Sequence, residues 1–222
     1  MIPLRDTRTS HTAPVVTISL IIINVAVFLY MVMLDPYSQN DFIRQYAVIP
    51  AQLHLGGLLT SMFLHGGWMH LIGNMWFLWI YGDNVEDVLG SGKYLLFYLL
   101  CGVFSALAQY AISPYSRVPM LGASGAIAGV MGAYLIKFPH SRILTLIPIF
   151  FFWTTIEIPA VIILAYWFLL QFFSGVGSIG YSQVSQGGVA FFAHIGGFIA
   201  GMILIKVMGT RERYGRRRDL NW

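Results

Sequence analysis

Apolar residues run through this chain in long, nearly unbroken blocks instead of the one-sided stripes of a water-soluble fold. The blocks at 15–34, 93–112 and 189–208 match the roughly 20 residues that a helix needs to cross a hydrocarbon layer of about 30 Å. Shorter blocks at 68–82, 124–138 and 158–173 bring the predicted helices to six. Helix is the expected state, because lipid offers no partner to an unpaired backbone amide. Between the first two blocks, positions 35–67 mix Phe42, Tyr46, Leu53, Leu58 and Leu59 with polar residues and Gly56-Gly57, which predicts a long loop lying on or dipping into the interface. The segment 143–156 is too apolar for open water, yet Pro148 and Pro159 interrupt it. It is expected to be interfacial, with Glu157 near the start of the fifth helix, where the helix dipole favours an anion. The pattern therefore implies an all-α membrane protein with six transmembrane helices.

Composition agrees: 57% of the 222 residues are hydrophobic and 10% are charged, against about 25% charged in soluble domains. A net charge of +4 raises nucleic acid as a partner, but the cations sit at the ends of apolar blocks, where they set membrane orientation. No nucleic-acid partner is expected; the lipid bilayer is. The first block is too long for a signal-peptide core and has no small-residue cleavage site, so it is expected to be retained. The single cysteine, Cys101, lies in the third block and leaves no disulfide within the chain.

With both termini cytoplasmic, that side carries Arg5, Arg8, Lys93, Lys137, Arg142, Lys206, Arg211, Arg213, Arg216, Arg217 and Arg218, against Arg44 and Arg117 opposite. This asymmetry is that of the positive-inside tendency. No repeat or Pro-rich linker divides the chain, so one transmembrane domain over 1–210 is expected, followed by a basic cytoplasmic tail at 211–222.

Polar residues at membrane depth need either a structural or a functional explanation, and four draw notice: His70, Asn74, Ser124 and His194. Ser124 precedes Lys137 by 13 positions, His194 precedes Lys206 by 12, and His70 precedes Asp83 by 13. At 1.5 Å per residue these are depths of about 18–20 Å on three helices of the same direction. Asn74 lies one turn deeper on the face of His70.

Gly122-Ala123-Ser124-Gly125 opens the fourth block, where unpaired backbone amides face outward and are suited to hold an oxyanion. Alternatively, Gly125, Gly129 and Gly132 serve helix contact and Ser124 is a cap. His194 stands in Ala193-His194-Ile195-Gly196-Gly197, and Gly197 with Gly201 makes a small-xxx-small face for close helix approach. A histidine at that level is suited to take a serine proton, and otherwise bonds a neighbouring carbonyl. All nine acidic residues fall in tails, loops or helix ends, so the expected site is a Ser-His dyad without a carboxylate. Asn74 is a suitable oxyanion donor, or else makes an interhelical bond worth about 0.6 kcal/mol. His65 is expected to order the loop at Gly66-Gly67. Without His-Glu-x-x-His, Cys-x-x-Cys or a carboxylate at the right depth, no metal and no cofactor is expected, and a proton relay lacks its usual carboxylates.

Taken in order, His70-Leu71-Ile72-Gly73-Asn74, Gly122-Ala123-Ser124-Gly125 and Ala193-His194-Ile195-Gly196-Gly197 resemble the motifs of the rhomboid family of intramembrane serine proteases, and the resemblance covers almost the whole chain. It implies a rhomboid-like bundle with Ser124 as nucleophile and His194 as base. It also implies that His70, Asn74 and the Ser124 amide stabilise the oxyanion, and that Gly197 and Gly201 bring the sixth helix against the fourth. The implied substrates are transmembrane or juxtamembrane segments of membrane proteins, admitted laterally near the fifth helix and often cut after a small residue. Two departures stand out: Ala128 occupies a position where some members stack an aromatic on the histidine, and the first loop lacks a Trp-Arg pair. The expected setting is a prokaryotic cell (inner) membrane. The alternatives are a catalytically silent module that binds membrane helices and, in a third class, a transporter.

Overall fold

The structure, a computed structural model, describes residues 2–149, 152–178 and 190–210. The basic tail expected at 211–222 lies outside the described residues, as does position 189 of the sixth predicted helix. The helices are α1 (Val15–Met33), α2 (Pro36–Tyr46), α3 (Leu55–Thr60), α4 (Trp68–Leu89), α5 (Ser91–Ile112), α6 (Ser124–Lys137), α7 (Ala160–Ser178) and α8 (Phe191–Val207). Three of them, α1, α5 and α7, are long and apolar enough to cross a membrane, while α6 and α8 are shorter apolar helices. At 14 residues α6 spans only about 21 Å. It can be short because protein surrounds it: every residue from Gly125 to Tyr134 is buried.

The tightest helix pair is α6 with α8. A Cβ built on Gly197 would collide with the Gly125 carbonyl oxygen, one on Gly201 with the Gly129 carbonyl, and one on Gly132 with the Phe198 carbonyl. The small-residue face read from the sequence is thus a backbone-to-backbone contact. Cys101 of α5 fills the space beside Gly129 and is fully buried.

The helix expected at 68–82 continues to Leu89, carrying Asp83, Glu86 and Asp87 with it. These carboxylates hold the N-terminal segment. Glu86 accepts from the Val16 and Thr17 amides at 2.9 and 2.8 Å, from the Thr17 hydroxyl at 2.8 Å and from the Ser91 hydroxyl at 2.7 Å. Asp87 accepts from the His11 amide and the Thr12 hydroxyl. Lys93 and Lys137 reach the end of α8, donating to Met208, Gly209 and Thr210. The starts of α1 and α5 and the ends of α4, α6 and α8 therefore gather at one end of the bundle.

The all-α expectation needs correction. A three-stranded antiparallel sheet is present, in the order β1 (Ile2–Asp6), β2 (Arg142–Ile149), β3 (Phe152–Pro159). The segment read as interfacial is mostly this hairpin, rich in Ile and Thr that suit a pleated surface, and its ladder pairs the backbone groups that β2 and β3 turn toward each other. Pro148 fits because β1 pairs only with positions 143–146, so at Pro148 strand β2 is an edge facing Trp153 alone. Glu157 lies in β3, 3.9 Å from the Arg142 guanidinium, and α7 begins three residues later, so Glu157 does not sit at a helix start. The sheet docks on α4 and α6: Trp76 donates to the Pro3 carbonyl at 2.6 Å, and Asn84 and Tyr134 each donate to one Asp6 oxygen at 2.7 Å.

Positions 35–67 are more ordered than a loop. Asp35 caps α2 by accepting from the Tyr37 and Ser38 amides, the His54 ring caps α3 through the Gly57 amide, and Val48 pairs antiparallel with Met120. Ala47, Val48 and Leu58 are buried.

Candidate active site

Ser124 is the first residue of α6, preceded by a turn in which Gly122 adopts φ +124 and donates to the Ser61 carbonyl at 2.9 Å. That backbone conformation suits glycine, and a Cβ there would also strike the His70 ring. Because Ser124 starts a helix, its amide has no acceptor within the helix. Its side chain points across to α8, where Oγ lies 2.8 Å from Nε2 of His194. The contact joins residues 70 positions apart, and the glycine contacts between α6 and α8 make it possible.

The other face of the imidazole is held by α7, a helix that carries none of the four residues expected at the site. Nδ1 of His194 lies 2.8 Å from Oε1 of Gln171 on α7. One turn earlier on the same helix, the Trp167 ring packs 5.9 Å from the imidazole, tilted by 35°. With Ala128 buried in α6, the aromatic contact to the histidine comes from α7 instead. The sequence does hold a signal for Gln171. It lies 11 residues, or about 17 Å, from the start of α7, close to the depth of about 18 Å for His194. A second polar residue of the apolar blocks, Gln109 of α5, accepts from the Ala193 amide at 3.2 Å and steadies the start of α8.

His70 and Asn74 lie one turn apart on α4 and line the same cavity as Ser124, His194, Trp167 and Gln171. The cavity has a volume of about 210 Å³ and is otherwise apolar, with Met69, Gly73, Phe77, Ile127 and Met131. The Asn74 amide donates to the His70 carbonyl at 3.0 Å, which uses one of its two hydrogens. No carboxylate lines this cavity among the described residues; the one bonded to α6, Asp6, meets Tyr134 ten positions beyond Ser124. His65 is buried, with its ring edge-on to His70 at 5.1 Å. Burial, and then the neighbouring His70, lower its pKa to about 4, so it is neutral near pH 7. On the other side of Ser124 is a 40 Å³ cavity bordered by Ser61, Ser105, Gly122, Gly125 and Ala193.

A family profile described as the rhomboid domain matches residues 52–211. Rhomboid protease GluP of Bacillus subtilis is 36% identical over 162 residues, 72% of this chain and 28% of that protein. The mitochondrial presenilin-associated rhomboid-like protein of Bos taurus is 33% identical over 135 residues, 59% of this chain and 36% of that protein. The mitochondrial RHOMBOID-like protein 6 of Arabidopsis thaliana is 34% identical over 152 residues, 66% of this chain and 41% of that protein. This chain thus spans between 28% and 41% of the length of these curated relatives. The profile covers the segments that carry His70, Asn74, Ser124 and His194 and spans well over half of the chain: the protein belongs to the rhomboid family, which includes intramembrane serine proteases.

Proposed function

We propose that this protein is an intramembrane serine endopeptidase that cuts transmembrane or juxtamembrane segments of membrane proteins. The observation that carries the reading is the 2.8 Å contact between Ser124 Oγ and His194 Nε2, made inside an otherwise apolar bundle. In this reading Nε2 takes the hydroxyl proton as Oγ bonds to the substrate carbonyl carbon. The negative oxygen that develops is met by the Ser124 amide, the Asn74 side chain and the His70 ring. Collapse of the tetrahedral intermediate breaks the C–N bond, and His194 returns its proton to the leaving amine. Water, deprotonated by His194, then hydrolyses the acyl-enzyme.

Two further features support it. The 210 Å³ cavity lies between α4 and α7, so an unwound segment arriving from that side meets Ser124 directly. The 40 Å³ cavity behind Ser124 has room for a water or a small side chain, and its two additional serines suit water. Both fit hydrolysis after a small residue.

For topology the proposal is six membrane-crossing helices, α1 and α4–α8, with the bundle end that carries Lys93, Lys137 and Lys206 on the cytoplasmic side of a prokaryotic inner membrane. No metal or cofactor enters the chemistry. The test is to incubate the detergent-purified protein with a transmembrane substrate and, separately, with a fluorophosphonate. Cleavage and labelling are expected for the wild type, and both should vanish in Ser124→Ala. Cleavage that survives in Ser124→Ala or His194→Ala refutes the mechanism, and binding of membrane helices without labelling marks a silent capture module.

A further inference from the structure

The geometry points to Gln171 as a positioning residue for the base: its carbonyl oxygen holds His194 in the tautomer that leaves Nε2 free to accept the Ser124 proton. The reacting arrangement then spans α6, α7 and α8. This rests on the protease reading above and adds to it a third residue.

Hydrogen-bond chemistry fixes the proton. The oxygen of a glutamine amide has lone pairs and no hydrogen. At 2.8 Å from Oε1, Nδ1 of His194 must therefore carry the proton, because two lone pairs at that separation repel. A neutral imidazole has one N–H, so Nε2 is bare and faces the Ser124 hydroxyl at 2.8 Å as an acceptor. The opposite tautomer would present an N–H to Oγ and leave the serine without a base. Choosing the tautomer is what the buried aspartate does in a Ser-His-Asp triad. No carboxylate lines this cavity among the described residues, and a neutral amide can perform the orienting part of the task without burying a charge.

Trp167 holds the same ring from a second direction. Residues 167 and 171 stand one turn apart on α7, and both meet the imidazole, Gln171 at Nδ1 and Trp167 ring to ring. A glutamine that served only to join α7 to α8 would need no particular ring nitrogen as partner. Of the three long apolar helices, α7 has the smallest buried share.

The experiment uses the full chain in detergent, comparing wild type, Gln171→Leu and Gln171→Glu. Cleavage of a transmembrane peptide is followed from pH 5 to 9, with kcat and KM separated. Loss of a partner that fixes a functional histidine costs about 10–100-fold in metal sites, and a fall in kcat of that order is expected for Gln171→Leu with KM within about twofold. Gln171→Glu keeps an acceptor toward Nδ1 and adds a negative charge that favours imidazolium. It should recover much of the lost kcat and move the acid limb of the pH profile to higher pH. Equal losses in Leu and Glu with an unmoved acid limb are the signature of a space-filling role and would overturn the proposal, as would a Gln171→Leu enzyme indistinguishable from wild type.

Nitrogen-15 shifts of His194 in the wild-type protein decide the tautomer without any variant that must fold. A proton on Nδ1 is expected, whereas a proton on Nε2, as a reversed amide would impose, overturns the assignment. A wild type that neither cleaves nor takes a fluorophosphonate would sink the protease reading alone, and the nitrogen shifts would still report the Gln171 bond.

Discussion

Gly197 of α8 lies against the carbonyl oxygen of Gly125 on α6 with no room for one more carbon between them. That approach brings His194, three residues before Gly197, within 2.8 Å of Ser124, one residue before Gly125. Gly197→Ala must therefore push the two backbones apart. The expected result is a loss of about 1–3 kcal/mol in stability together with slower fluorophosphonate labelling of Ser124, read by thermal unfolding in detergent and by labelling rate. Gly92→Ala, in α5 where an added Cβ meets nothing within 4 Å, is the control and should leave the labelling rate unchanged and stability equal or slightly higher.

Asn74 separates a chemical role from a structural one. As an oxyanion donor, its replacement by alanine should lower kcat about 10²–10³-fold with little change in KM. As a purely structural bond, made to the His70 carbonyl one turn back on the same helix, it should cost only about 0.5–1.5 kcal/mol of stability and leave kcat near wild type. Steady-state kinetics beside a melting curve distinguishes the two.

Glu86 is almost wholly buried and accepts hydrogen bonds from the start of α1 and from Ser91 at the start of α5. Glu86→Ala leaves the Val16 and Thr17 amides without that acceptor, with an expected destabilisation of roughly 1–3 kcal/mol for each donor that water does not reach. Faster proteolysis near residues 10–17 should accompany it, and limited digestion followed by mass spectrometry would show whether it does.

Asp6 makes the docking of the sheet depend on pH. Burial, opposed by the hydrogen bond from Tyr134 and reinforced by the nearby Asp83, raises its pKa from 3.8 to about 7. The folded state thus holds a proton between about pH 4 and 7 that the unfolded chain has released, and stability falls as pH rises through that window. Asp6→Asn keeps an oxygen for Asn84 and Tyr134 and removes the ionisation. Its advantage over wild type in thermal unfolding should be smallest near pH 4 and reach its full size above pH 7; an advantage that is constant with pH would contradict the assignment.

Much of the site is legible in the amino-acid order because depth in a membrane is one-dimensional. A fixed rise of 1.5 Å per residue puts Ser124, His194 and His70 at one level, and polar side chains stand out against lipid. The helical blocks at 15–34 and 93–112 are legible because each has about the length that a hydrocarbon layer sets. The sheet is not: Ile143 to Ile156 is apolar enough for an interfacial segment, and its strands are recognised by pairing, with each other along 142–159 and with Ile2–Asp6, more than 130 residues away. Nor is the length of α4, because Asp83, Glu86 and Asp87 look like a helix end until the amides and hydroxyls they accept from are in view.

By itself, then, the order of residues determined where the long apolar helices run, how far along its helix each polar residue sits and which chemistry the residue types allow, all properties of single helices. Only the tertiary structure decided which faces meet. Trp167 looks like an ordinary member of an apolar helix, and Gln171 shows only its depth, until α7 turns both onto the imidazole of α8. A run of small residues marks a face suited to close approach, but which helix it meets depends on the partner, here the backbone of α6 at Gly125 and Gly129 against α8.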